Sequence, residues 1–401
     1  MRQITWILLL FFAFGYSQKT IKGKVLEATT SEALPFVNLF SSESNQGVYT
    51  NLEGYFEFQI PNGVQSITIS CLGYKTIVIP IENLNEKEQI IRLEPEEYAL
   101  EEVVVVNKPL HEIMNNLVSN SKNQLDRDVK LDTYYREFLK INDQYSKFSD
   151  GLVTYYLQPK RKDKVKANVV VNESRAFEIT ATNDLEYEGK ADLAALDTFF
   201  NFKDATDSFF NFNMIENFLT NAKSSKKYDF QIKTYQTQSG VSFEKIMIKP
   251  LPEIKELLVE GYIIYDATSK VIMEYDLQLA ATHKQYSELR NMLLFKFKLN
   301  DLQVKVSFRM ENGKYIPNYN KTVFDLYMKF GKQINDNLSG VCDLLVNNYS
   351  NTNVILPAKE TFYTKRSLYE NGMNHHSNYW KSNLAMPLSA NEEAILNQLI
   401  N

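Results

Sequence analysis

Apolar and polar residues alternate in short runs along the first hundred residues, and turn residues separate the runs. Residues 55–60 alternate between Gly54 and Pro61, and residues 66–70 alternate in the same way. Alternation with a period of two predicts strands that bury one face. Four further runs of this type are residues 21–25, 35–40, 76–79 and 90–93. Short strands at this spacing predict a seven-strand-type β-sandwich over residues 18–95.

The longer second part of the chain also alternates, in strand pairs joined by turns. Asn312 and Gly313, between two apolar runs, are typical of a tight hairpin. The runs that alternate here are residues 228–232, 241–248, 259–265, 271–279, 295–299, 304–310 and 324–330. They predict a larger α+β domain over residues 128–401, with a curved antiparallel sheet that has one apolar face. The chain as a whole is therefore predicted to be mainly β.

Three segments have helical spacing. Residues 110–125 place Ile113 and Leu117 on one stripe, which predicts a linker strand and helix over residues 96–127. Ser389 and Glu392 form a capping box in front of a last helix. Residues 191–223 are predicted to form one or two helices that cover the apolar face of the sheet.

The covering segment supplies the candidate ligand-binding residues. They are the five phenylalanines Phe199, Phe200, Phe209, Phe210 and Phe212. If the helices cover the sheet loosely, an apolar cavity results, and such a cavity is the default ligand site. If they pack tightly, the same side chains are ordinary core, which is the commoner fate of large apolar residues.

The N-terminus has the three parts of a secretory signal peptide. Arg2 is basic, residues 4–14 are apolar, and Gly15 and Ser17 are small residues ahead of a cleavage site before Gln18. This apolar run is too short to span the ~30 Å of a hydrocarbon core, and no second long run exists. The prediction is a signal peptide at residues 1–17 and a mature chain without a transmembrane helix. Such a chain is exported, to the periplasm, the outer membrane or the extracellular space.

Composition narrows the function classes. The 401 residues include 24 Tyr and 25 Phe, and the net charge is only −5. Lys and Arg are scattered, so no nucleic-acid partner is expected. The two cysteines, Cys71 and Cys342, exclude a disulfide-rich scaffold. They could form one bridge, although two buried thiols are the favoured interpretation.

No catalytic or metal-binding motif is complete. His111 and Glu112 begin a zinc-peptidase motif, but Asn115 stands where the second His is needed. Arg136 and Glu137 are neighbours on a predicted strand and so face opposite sides, which favours separate pairing roles over a catalytic dyad. His375 and His376 are adjacent, which is an awkward spacing for chelation by both. We therefore expect no catalytic residue, no metal and no cofactor.

Several motifs of the first domain occur in the order of a known family. They are Gly23-x-Val25, the segment 34–38, Gly54-Tyr-Phe56 and Gly73-Tyr74. In these residues the first quarter of the chain resembles the carboxypeptidase regulatory-like domain, a transthyretin-like β-sandwich of Bacteroidetes envelope proteins. Residues 100–106 resemble the segment that follows this domain in TonB-dependent receptors.

The second domain carries weaker resemblances. Residues 134–137 and Trp380 resemble residues that recur in uncharacterised Bacteroidetes proteins carrying the regulatory-like module. The strand and turn residues 261–266 resemble a sequence pattern of lipoprotein-carrier-like folds. In those folds a curved sheet closed by helices holds an acyl chain.

Three functional hypotheses remain. The first is a non-enzymatic envelope protein, whose sandwich is an interaction module and whose large sheet binds a hydrophobic or extended ligand or a protein partner. The second is an accessory of TonB-dependent outer-membrane transport. A complete receptor is excluded, because the roughly 300 residues that follow the sandwich are too few for both a plug and a barrel. The third is a hydrolase with an unrecognised site, although carboxypeptidase activity is not expected without the metal-ligand motif.

Overall fold

The computed structural model of this chain divides into two compact units. It describes residues 19–44, 46–71, 73–84, 87–96, 102–104, 108–160, 165–178, 201–236, 242–292, 295–311, 313–330, 334–352, 354–371 and 386–400. The described part of the first unit is residues 19–95 with 386–391, and that of the second is residues 96–371 with 392–400. The predicted signal peptide lies outside the described residues.

Seven described strands form two sheets in the first unit. They are β1 Lys19–Glu27, β2 Asn38–Ser41, β3 Gln46–Tyr49, β4 Tyr55–Ile60, β5 Ser66–Ser70, β6 Ile77–Pro80 and β7 Gln89–Leu93. One sheet has the order β4-β1-β7, with β1 and β7 parallel, and the other has the order β3-β2-β5-β6. The predicted β-sandwich is confirmed. Strand β3 was not predicted, because its residues, Gln-Gly-Val-Tyr, do not alternate between apolar and polar.

The alternation of the strands builds the sandwich core. In β4, Phe56, Phe58 and Ile60 are buried while the residues between them are half-exposed. Gly23 allows β1 to approach β7, because a Cβ at this position would lie 2.2 Å from the carbonyl oxygen of Gln89. The core that these strands enclose belongs to the first unit alone.

A turn and the C-terminal segment complete the first unit. The Asn51 Oδ1 accepts hydrogen bonds from the backbone N–H of Glu53 (3.0 Å) and of Tyr55 (2.9 Å), and Gly54 has a φ of +71°. These contacts are those of a turn. The Asn51 amide also donates to the carbonyl of Leu388 at 3.0 Å, so residues near the C-terminus pack on this turn.

The second unit contains twelve described strands. They are β8 Glu102–Val104, β9 Val129–Ile141, β10 Gln144–Pro159, β11 Val165–Glu178, β12 Tyr228–Gln236, β13 Ser242–Pro250, β14 Val259–Asp266, β15 Ile272–Leu279, β16 Arg290–Met292, β17 Phe295–Glu311, β18 Lys314–Phe330 and β19 Ile334–Ser350. The helices are α1 Leu110–Gln124, α2 Asp207–Asn211, α3 Asn213–Phe218, α4 Ala222–Ser225 and, spanning both units in sequence, α5 Ala390–Ile400.

All of the pairings in the large sheet are antiparallel, as predicted. The strand order is β11-β10-β9-β19-β18-β17-β15-β14-β13-β12-β8, and β16 pairs with β17 beside this path. The last strand, β19, pairs with β9, where Val341 lies opposite Phe138. This pairing joins strands β9, β10 and β11 to the other strands, so that all of them form one sheet.

One face of the large sheet, here called the inner face, carries the main core. Leu131 and Tyr135 of β9, Tyr155 of β10, Leu344 of β19 and Val306 of β17 are buried on it. The residues of α1 that pack into this core are Leu110, Met114, Leu117 and Val118. The segment predicted as a linker thus contributes β8 to the sheet, next to β12, and α1 to the core.

The sequence prediction differs from the structure in two long strands. Residues 295–311 form the single strand β17, where two separate runs were predicted. A register shift between Leu299 and Asp301 interrupts the alternation without ending the strand. Strand β11 was not predicted; it pairs along almost its whole length with β10.

Candidate functional site

A helical segment lies over the inner face of the large sheet. Its described part starts with a 3₁₀ turn, Phe202–Asp204, and continues through α2 and α3. Phe212 stands between these two short helices with φ +48° and ψ +38°, a left-handed conformation that turns the chain sharply. Its ring is stacked on that of Phe308 in β17 at a centroid distance of 5.6 Å. The ring therefore anchors the segment to the sheet.

The structure places three of the five candidate phenylalanines in the core. Phe209 and Phe212 have no exposed surface and Phe210 is 3% exposed. Phe199 and Phe200 lie outside the described residues. The three described side chains pack with the main core and do not line the cavity described next. Their role in ligand binding stays a prediction.

A cavity of about 550 Å³ lies between the helical segment and the inner face. We call it the main cavity. The apolar side chains in its lining are Met214, Phe218, Leu257, Leu299, Leu302 and Val304. Its other lining residues are Ser208, Asn213, Asn217, Tyr275, Arg290 and Thr322. No sequence pattern predicted this lining, because its residues come from α2, α3, β15, β16, β17, β18 and a loop, which only the fold brings together.

A second cavity of about 200 Å³ adjoins the main cavity. The two share Ser208 and Thr322. The polar side chains in its lining include Asp204 and Asn320. Asn320 donates from its amide nitrogen to the carbonyl of Ala205 at 3.1 Å, and its buried amide oxygen has no donor among the described residues.

Glu137 is a buried carboxyl on the inner face of β9. It accepts hydrogen bonds from the hydroxyls of Tyr135 and Ser149, each at 2.7 Å. Burial raises the pKa of Glu137, since the charged form loses its hydration, and the two hydrogen bonds act against that shift. Burial, reinforced by the nearby Glu137, also raises the pKa of the Cys342 thiol on the adjacent strand. A thiol in this state is a poor nucleophile.

The opposite face of β9 and β10 buries two groups of paired charges. Arg136 lies 3.3 Å from the carboxylate of Asp343 and 3.3 Å from that of Glu392. Arg175 forms two hydrogen bonds, of 2.7 and 2.9 Å, to the carboxylate of Asp150. These charges are internally compensated, which is what burial requires. Arg136 and Glu137 thus point to opposite faces and have separate partners.

The remaining candidate residues are scattered. His111 lies 3.2 Å from the hydroxyl of Ser225, while His375, His376 and Trp380 fall outside the described residues. In the described part of the chain, no three His, Cys, Asp or Glu side chains converge as metal ligands. Nor does any described helix have the length and apolar character needed to cross a membrane. Cys71 and Cys342 are not bridged.

Comparison with known proteins identifies the first unit. The family model described as the CarboxypepD_reg-like domain matches residues 21–105. No curated protein matches the chain. One similar solved structure is a DUF1329 family protein from Desulfovibrio piger, with 10% identity and a TM-score of 0.22 over 62% of this chain and 96% of that one. The Bacteroidetes origin stays a prediction. The chain therefore carries a CarboxypepD_reg-like domain at residues 21–105, followed by a further β domain.

Proposed function

We propose that the second unit binds the alkyl chain of a hydrophobic ligand in the main cavity. The chain as a whole would then be a non-enzymatic envelope protein in which the CarboxypepD_reg-like domain is an interaction module. Such a domain suggests a non-catalytic binding role. Export, with a location in the periplasm, at the outer membrane or outside the cell, is part of the same proposal and depends on the signal peptide predicted at residues 1–17.

The observation that carries this proposal is the main cavity itself. Its volume of about 550 Å³ lies within the range of about 300–1,000 Å³ that is typical of small-molecule sites. Six of its twelve described lining residues are apolar side chains from the helical segment, the sheet and a loop, and only one of the other six, Arg290, is charged. This combination suits a ligand that is mostly hydrocarbon.

Burial of apolar surface supplies the binding energy. Each Å² of alkyl surface removed from water contributes roughly 25 cal/mol, before the cost of immobilising the ligand. Most of the wall is fixed before the ligand arrives: Met214 is buried at one side, Val304 at the other, and Phe212 ties the intervening helices to the sheet. A preformed wall lowers the entropic cost of binding.

The other hypotheses have less support. A role beside TonB-dependent transport depends on the segment 100–106, of which the structure describes three residues, paired with β12. A hydrolase would need converging catalytic groups, and the buried Glu137 is held by two hydrogen bonds next to a weakly acidic thiol. Both stay predictions.

The test is a fluorescence titration of the full chain without its predicted signal peptide. N-phenyl-1-naphthylamine, a neutral apolar probe, should brighten on binding, and alkyl compounds should displace it. Leu302→Trp places a large side chain in the main cavity and should weaken probe binding at least tenfold. The matched control is Leu52→Trp, since Leu52 is 49% exposed and belongs to the first unit.

Circular dichroism and thermal unfolding would show whether both variants fold. If Leu302→Trp does not fold, Val304→Phe makes a smaller change in the same wall. No probe binding, or equal binding by the parent chain and every folded cavity variant, would refute the proposal.

A further inference from the structure

The main cavity has a single charged side chain in its described lining. This is Arg290 of the short strand β16. Arg290 is exposed, so it lies where the cavity opens to solvent. No Asp or Glu belongs to the described lining of the main cavity, and within the described part of the chain Arg290 forms no ion pair. The opening therefore carries an uncompensated positive charge.

The other end of the site has the opposite character. Beyond Ser208 and Thr322 lies the second cavity, whose described lining contains Asp204 and Asp343 but no Lys, Arg or His. The Asp343 side chain pairs with Arg136 on the opposite face of the sheet, so the acidic group of this cavity is the Asp204 carboxylate, which is exposed and accepts from the amide of Asn201. The buried amide oxygen of Asn320 adds a further acceptor on this side.

This charge distribution fixes an orientation for an amphiphile. An anionic group at the end beside Asp204 would face that carboxylate with no cation in the described lining to compensate it, and like-charge juxtaposition is costly. At the opening, the same group meets a guanidinium, whose planar fork matches the two oxygens of a carboxylate. The alkyl chain then runs inwards along Phe218, Leu302 and Val304.

We propose that the ligand is a long-chain carboxylate, held by Arg290 at the opening with its alkyl chain in the main cavity. This inference rests on the proposed function and adds the chemistry of the headgroup. It assigns specificity to Arg290 and hydrophobic affinity to the walls. A cationic or uncharged amphiphile of equal length should therefore bind less tightly.

The experiment compares dodecanoate, methyl dodecanoate and dodecyltrimethylammonium by isothermal titration calorimetry on the full chain, each below its micelle concentration. We expect dodecanoate to bind about three- to tenfold more tightly than the ester, the range of a partly exposed ion pair. Arg290→Gln should remove this preference, so that dodecanoate and the ester bind the variant with equal affinity. Lys296→Gln is the matched control. Lys296 is an exposed cation on β17, paired with Asn291 of β16, and it is not among the described lining residues of the main cavity.

The outcomes separate the two proposals. Equal affinity for dodecanoate and its ester, or a preference that survives Arg290→Gln, would overturn the role of Arg290 while alkyl binding stands. The same holds if Lys296→Gln reduces the preference as much, since the effect would then reflect general surface charge. If none of the three compounds binds, the cavity does not accept alkyl chains and the proposed function fails first.

Discussion

Replacement of Phe212 distinguishes a core residue from a ligand-binding residue. The Phe212 side chain has no exposed surface, and its ring lies 5.6 Å from that of Phe308 and 6.3 Å from that of Tyr275. Phe212→Ala removes these contacts, and Phe212 is not itself a lining residue of the main cavity, although its neighbour Tyr275 is. We expect Phe212→Ala to destabilise the second unit. Alkyl binding should change only as a consequence of this loss of stability.

The magnitude follows from three contributions. Loss of the buried apolar surface costs about 2 kcal/mol. The void left between α2 and β17 costs about a further 1 kcal/mol, because fixed neighbours cannot fill it. The lost aromatic pairing costs about 1 kcal/mol. The expected decrease in the free energy of unfolding is therefore about 4 kcal/mol, within the range of about 3–5 kcal/mol found for Phe→Ala in cores.

Urea unfolding of the full chain, followed by circular dichroism and tyrosine fluorescence, would measure this decrease. Phe218→Ala is the matched control, since Phe218 is half-buried and lines the main cavity. It should cost about 1–2 kcal/mol and weaken alkyl binding directly. The reasoning is refuted if Phe212→Ala changes stability by less than about 1 kcal/mol yet abolishes binding. Phe212 would then be a ligand-binding residue.

Three further changes test other parts of the structure. Burial raises the pKa of Glu137 above its usual value, so the native state binds this proton more tightly than the unfolded chain and its stability falls as pH rises through the usual range of a carboxyl group. Glu137→Gln should therefore gain in Tm relative to the parent chain as pH rises from 4. Asp150→Ala should cost about 3–5 kcal/mol in urea unfolding, because Arg175 is left buried without its carboxylate; an unchanged midpoint would contradict this. Residues 18–95, expressed alone, should unfold cooperatively with β-type circular dichroism; a disordered fragment would show that the predicted boundary is wrong.

Local patterns predicted most of the strands. Strand β4 was placed at its observed bounds because three alternate residues, Phe56, Phe58 and Ile60, are apolar, and a turn with Gly54 precedes them. The helix α1 was found in the same way, from a stripe with helical period. The motif order around Gly23 and Gly54 was enough to identify the first unit. These features depend on neighbours in sequence, which is why a single sequence reveals them.

Partners distant in sequence were beyond such patterns. Alternation shows which side chains share a face but not which strand lies alongside, so nothing in the sequence predicted that β19 pairs with β9. The β11 strand escaped prediction because polar residues such as Asn172 and Glu173 occupy part of it. Tertiary pairing with β10 stabilises it all the same.

The candidate site shows the same division. Composition was enough to predict that a phenylalanine-rich segment supplies apolar side chains near the large sheet. The fold was needed to show that Phe209, Phe210 and Phe212 are buried in the core and that Leu302, Phe218 and Arg290 line the main cavity. A cavity is space left between helices and strands. Its position depends on the packing distances between helices and strands, and composition and periodicity carry no record of those distances.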